Sequence, residues 1–192
     1  MCSIVKVKKY HERKKILQEM NKITDYKRNI NRKIRDMGQL FNRQKYNQYD
    51  KNGGALFVTV TLPRYHFSLF SAVIAGQMIE YFEDQFNFYE SLTGEIRDQL
   101  KVRLYRGDYG WNQKQRWLDR CHKVKFDTNK QMKKSILQSR LMIGTYAATT
   151  YNETIASNIP TIIYWNTKHW ELDSNSDPFF DELKRVGIFH TT

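Results

Sequence analysis

Apolar positions along this chain keep two different rhythms. Between 10 and 49 there is no proline and one glycine, Gly38, and apolar residues recur at Ile16, Met20, Ile23, Ile30, Ile34, Met37 and Phe41. Steps of three, four and seven trace a single helix face near the 3.5-residue period, with Lys27 interrupting the stripe. Gly53 and Gly54 end that rhythm, and 50–54 reads as a linker. Beyond it, short apolar runs alternate with helical stripes. Strands are predicted over 55–61 (ALFVTVT), 102–105, a weak 124–126, 141–145 and 161–165. Helices are predicted from about Ala75, with the stripe Met78, Ile79, Phe82, Phe86, Tyr89 and Leu92, then over 113–120, 130–138, from near Thr150, and over 179–186. Gly187 is a natural C-terminal cap for the last of these. Strands alternating with helices predict an α/β fold, a parallel sheet of about five strands with helices on both faces. Ligands of such sheets bind beyond the carboxyl ends of the strands.

Charge divides the chain at the same place. Residues 1–51 hold 15 Lys and Arg against 5 Asp and Glu, a net +10, whereas the remaining 141 residues hold 17 against 15. The whole-chain +12 is therefore a property of the N-terminal quarter, and two segments follow: a basic helical extension, 1–51, and an α/β domain, 52–192. The two cysteines, Cys2 and Cys121, form neither a disulfide framework nor a metal-ligand spacing. No run approaches the roughly 20 apolar residues of a membrane span, and the N-terminus has no signal-like apolar stretch. The location expected from this is cytoplasmic, with peripheral contact at the inner membrane left open.

The most informative stretch is 141–166, LMIGTYAATTYNETIASNIPTIIYWN. It reads as strand, small-residue turn, helix and second strand. That unit aims a helix N-terminus, with its free amides, at whatever lies beyond the first strand, most often a phosphate. Thr149 and Thr150 add hydroxyls, Ala147 and Ala148 keep the approach open, and Glu153 follows one turn later within reach of a ligand hydroxyl. The same T-x-x-E spacing also fits an ordinary capping box, with Thr150 as N-cap and Glu153 as its partner. Arg103 ends a predicted strand beside an aromatic, glycine-containing loop, VRLYRGDYGW, where an arginine pairs with phosphate or carboxylate or simply packs on its own domain. Arg64, Tyr65 and His66 follow the first strand on the ligand side, but no partner for His66 as a general base is visible. P-loop, GxGxxG, GxSxG, HxxxH and CxxC patterns are absent, and nothing in the spacing of the aspartates argues for a metal.

Four stretches taken together, LPRYHFSLFSAVIAGQMIEYFEDQFNFYESL, VRLYRGDYGW, TYAATTYNETIASNIPTIIYW and PFFDELKRVGIFH, resemble the C-terminal region of transferases encoded in bacterial O-antigen and surface-polysaccharide clusters. These are similar to glycosyltransferases of the two-Rossmann-domain GT-B type, including enzymes that use CMP-Kdo. The resemblance covers 55 to about 190 and implies a Rossmann-like donor-nucleotide-binding domain. Thr149, Thr150 and Glu153 would grip the nucleotide of a donor such as CMP-Kdo, with Arg103 and Asn166 as lesser contacts. No separate cofactor or metal is implied. Members of the family carry a complete N-terminal Rossmann-like domain and further C-terminal helices. The resemblance therefore implies the donor-binding half of a glycosyltransferase-like protein, C-terminally truncated and incomplete as a catalyst by itself. A basic nucleic-acid-binding module and a fragment of a sugar-nucleotide epimerase are the alternatives. The first would bind in a salt-sensitive, sequence-independent way, but no aromatic recognition platform accompanies the positive charge.

The seam from Ile16 to Phe41 needs cover, since each large side chain left in water forgoes roughly 1.5–3 kcal/mol. An anionic membrane surface suits its flanking Lys and Arg best, and a partner chain bound through the 10–49 helix is the other candidate. The segment is expected to be helical and poorly packed on the α/β domain.

Overall fold

The computed structural model describes residues 48–65 and 72–192. The basic seam from Ile16 to Phe41 and His66 lie outside these residues. The chain divides into two units, Met1–Lys45 and Tyr46–Thr192, and the second is the α/β domain.

Its elements run β1 (Gly54–Val58), α1 (Gln77–Ser91), α2 (Gly94–Gln99), β2 (Leu100–Arg103), α3 (Gln113–Arg120), α4 (Met132–Leu137), β3 (Ser139–Gly144), α5 (Thr149–Ala156), β4 (Thr161–Trp165), α6 (Asp177–Arg185) and β5 (Phe189–Thr191). The five strands form one sheet in the order β2-β1-β3-β4-β5, and every pairing is parallel. Phe126 adds a single parallel bridge outside β2, closed by hydrogen bonds from the Val102 amide to the Lys125 carbonyl (2.8 Å) and from the Asp127 amide to the Val102 carbonyl (2.9 Å). Counted as a strand, this bridge makes the spatial order of the six 3-2-1-4-5-6, the doubly wound dinucleotide-binding order. The chain fills one side of β1 and then crosses to the other, so its switch point lies between β1 and β3.

Two neighbouring residues of β4 show why both faces are covered, because consecutive strand side chains point in opposite directions. Tyr164 meets Phe57 of β1 (6.2 Å between ring centroids) and Phe88 of α1 (4.9 Å). Trp165 meets Tyr151 of α5 (6.0 Å), Phe180 of α6 (5.8 Å) and Phe189 of β5 (4.6 Å). On the α1 side Trp117 of α3 closes the layer edge-on against Phe86 at 4.9 Å.

The expected strands are present, with instructive differences. β1 stops at Val58 rather than at Thr61, because the Val60 amide turns out of the ladder to the Tyr81 hydroxyl. Residues 124–126 reach the sheet at one bridge only. β5 is an additional strand, delivered by a Schellman turn: Gly187 (φ +75°) takes the left-handed position, its amide donates to the Lys184 carbonyl and the Ile188 amide to the Leu183 carbonyl (3.0 and 2.8 Å). On α1 the buried stripe is Met78, Tyr81, Phe82, Gln85, Phe86 and Tyr89, and Ile79 is exposed.

Residues 50–54, linker-like in sequence, are folded onto the domain. The Asp50 amide donates to the Leu137 carbonyl (2.8 Å) and the Gly53 amide to the Asp50 carbonyl (3.0 Å). A Cβ on Gly53 would meet the Gln138 carbonyl oxygen at 2.4 Å and one on Gly54 the Gln99 oxygen at 2.0 Å. The glycines are needed for close backbone approach, the condition under which only glycine fits.

Candidate functional site

At the carboxyl ends of β1 and β3 a chain of hydrogen bonds braces the switch point. The Val60 amide donates to the Tyr81 hydroxyl (3.0 Å) and Thr145 Oγ1 donates to the Val58 carbonyl (2.8 Å), with the Tyr81 and Thr145 hydroxyl oxygens 2.6 Å apart. Thr145 has one hydroxyl proton, and it goes to Val58. The Tyr81 proton must therefore go to Thr145. Burial, outweighing these hydrogen bonds, holds the Tyr81 phenol well above its ordinary pKa, so it stays a neutral donor. The result joins α1 to both strands of the switch point and satisfies four buried polar groups at once.

A second brace ties the loops after β1 and β2. Thr61 Oγ1 donates to Gln113 Oε1 (2.8 Å), and Gln113 Nε2 donates to the Tyr105 carbonyl (2.9 Å). The Trp111 indole donates to the Leu62 carbonyl (2.7 Å). Asp108 accepts the amides of Asn112 and Gln113 (2.8 and 2.7 Å), which opens α3 with a carboxylate at its positive end. The sequence DYGW is thus the turn into α3, with left-handed backbone at Tyr109, Gly110 and Asn112. Arg64 donates to the Gly110 carbonyl (3.0 Å) and lies 4.6 Å from the Trp111 ring centroid. Tyr105 and Tyr109 stack 6.3 Å apart and both are exposed.

β3 runs into α5 through 145–148, and here the predicted site residues gather. The N-cap position is Ala148, in extended backbone and without a side-chain cap. Thr149 and Thr150 are the first two helical residues, so Thr150 is not the N-cap and the capping-box alternative is not formed. Thr149 is exposed, and Thr150 and Glu153 are half-buried. The helix opens beside the braced switch point, with no side-chain cap from its N-cap residue.

The structure places the other two predicted residues differently. Asn166 follows β4, and its side-chain oxygen accepts the Lys168 amide (3.0 Å) in an Asx turn. Arg103, at the end of β2, forms an ion pair with Asp127 and donates to the Asn129 carbonyl, the Ser135 hydroxyl and the Lys130 carbonyl. Burial works to raise the Asp127 carboxyl, but hydrogen bonds from Ser135, Arg103 and Asn129 outweigh it and hold it below the ordinary range. The Arg103 guanidinium thereby fastens 127–135 to the end of β2.

Sequence reading misses Tyr81, Thr145, Gln113 and His169. Tyr81 stands three residues beyond Met78 on the α1 stripe, and that spacing is the only signal it gave. His169 is buried after β4, with Nε2 3.1 Å from Glu80 Oε2 and Nδ1 without a hydrogen-bond partner among the described residues. No spacing announces it.

An all-parallel, doubly wound sheet with a helix opening at its switch point defines a Rossmann-like α/β domain. Within that class the chain belongs to the LIC12162 family of transferases, whose family model matches residues 24–192. No curated protein and no solved structure matches it.

Proposed function

We propose that this chain is the donor-nucleotide-binding half of a glycosyltransferase-like enzyme of bacterial surface-polysaccharide (O-antigen) biosynthesis, with a nucleotide sugar such as CMP-Kdo as donor. The observation that carries the reading is the opening of α5. Its N-cap residue, Ala148, makes no side-chain cap, its first two residues are threonines and it begins beside the β1/β3 switch point, where doubly wound sheets take their ligands. Membership of a transferase family agrees with the reading.

In this reading the donor phosphate sits on the amides of 149–151 and the Thr149 and Thr150 hydroxyls, and Glu153 takes a ribose or sugar hydroxyl. The nucleoside phosphate is the leaving group, and the helix N-terminus stabilises the charge that builds on it as the glycosidic bond breaks. Arg103 and Asn166 act at one remove, through the loops they fix. Transfer to an acceptor requires groups beyond those assigned to this site.

Calorimetric titration with CMP, UDP and GDP tests the assignment. Binding of CMP, weakened about 10-fold or more in a Thr149→Val/Thr150→Val variant of unchanged stability, is expected for the loss of two hydrogen bonds to a charged group. Absence of binding by all three nucleotides in folded protein would overturn it.

A further inference from the structure

A cavity of about 380 Å³ lies on the amino-end side of β2, between the last turn of α1, α2 and the residues that follow α3. Its charged wall consists of Glu90, Arg97, Asp98, Arg120 and Lys123, with His122 beside them. The two carboxylates of that wall are already engaged. Glu90 pairs with Arg120 at 3.2 Å and Asp98 with Lys125 at 3.8 Å. Arg97 and Lys123 have no carboxylate partner among the described residues. The Arg97 Nε is buried and has no hydrogen-bond partner among the described residues. Buried donors are almost always satisfied, by protein or by ordered water. For a guanidinium flanked by a lysine and a second arginine, the partner that satisfies both charge and hydrogen bonding is an oxyanion. Burial, and then the charge of Glu90, push the Cys121 thiol up to about 11, so this wall residue is a neutral thiol and adds no negative charge.

We infer that this cavity is a second ligand site, which takes the phosphate group of a small phosphorylated molecule through Arg97 and Lys123. Its volume falls in the range of small-molecule sites and leaves room for more than the bare ion. The site is separate from the α5 crevice and does not depend on the donor assignment.

The test is a titration of the full chain with inorganic phosphate and, in a parallel arm, ribose 5-phosphate, followed by amide NMR shifts and calorimetry. The expected result is shifts at 94–98 and 121–123, with ribose 5-phosphate binding at least as tightly as inorganic phosphate. Affinity should fall about 10-fold or more in Arg97→Gln and in Lys123→Gln. Lys123 is exposed, so its variant tests the site independently of Arg97→Gln, and the shift map of the unaltered chain needs no variant. Shifts confined to 147–151, no shifts up to millimolar ligand, or affinity unchanged by Lys123→Gln would each overturn the inference.

Discussion

Two arginines flank β2 and carry the same charge to opposite ends of the sheet. Arg103, at the carboxyl end, is enclosed by Asp127, Ser135 and two carbonyls. Arg97, at the amino end, lines a cavity with a buried nitrogen that has no acceptor among the described residues. Arg103 looks like a ligand contact in sequence because it ends a strand, yet its hydrogen bonds go to its own chain. Arg97 carries no such signal. Whether an arginine beside a strand is held by its own chain is decided by its partners, and partners are a property of the fold.

The largest effect should come from breaking the enclosed pair. Arg103→Ala leaves the Asp127 carboxylate, 3% exposed, without its counter-charge, and unfolding by denaturant should show a loss of about 3–5 kcal/mol. Arg97→Gln, by the same measurement, should stay within about 0.5 kcal/mol. Equal losses would erase the distinction between the two arginines.

Next in size is the brace at the switch point. Tyr81→Phe strands the Val60 amide, takes away the proton that Thr145 accepts and should cost about 1–3 kcal/mol. Because the two hydroxyls form one network, Tyr81→Phe combined with Thr145→Val should cost clearly less than the sum of the single changes. Strict additivity would mean that the chain of donors and acceptors is drawn wrongly.

Two carboxyls sharpen the contrast by titrating in opposite senses. Asp127 has a folded pKa below its unfolded value near 3.9. Its contribution is present above that unfolded value and is lost as pH falls through the folded one. Asp84 is raised, first by burial and against a hydrogen bond from Thr192. It binds its proton more tightly when folded, so its contribution is present below the unfolded value and is lost as pH rises through the folded one. Unfolding free energies measured from pH 3 to 7 should therefore show Asp127→Asn flattening the acid limb and Asp84→Asn raising stability toward neutrality. The second effect is the smaller because Asp84 is half-exposed.

How much of this was legible in the sequence follows from the range of each interaction. Buried parallel strands are apolar on both faces, so β1, β3 and β4 announce themselves as ALFV, LMIG and TIIYW. β5 buries Phe189 and leaves His190 and Thr191 exposed, too little for a pattern. α2 buries nothing, so it has no apolar stripe to find. The α5 opening was readable because strand, small-residue turn and helix are contiguous. The Tyr81–Thr145 bond spans 64 residues and the Arg103–Asp127 pair joins separate elements, so neither leaves a local trace. Gly53-Gly54 misled for a related reason: a glycine required by a neighbouring carbonyl looks the same in sequence as one in a loose linker.

The most direct test of the central claim is an amide NMR titration of the intact chain with CMP. The crevice account predicts the largest shifts at 147–151 and smaller ones at 59–62. No shifts at saturating nucleotide, or shifts gathered at the Arg97 cavity with 147–151 silent, would contradict it.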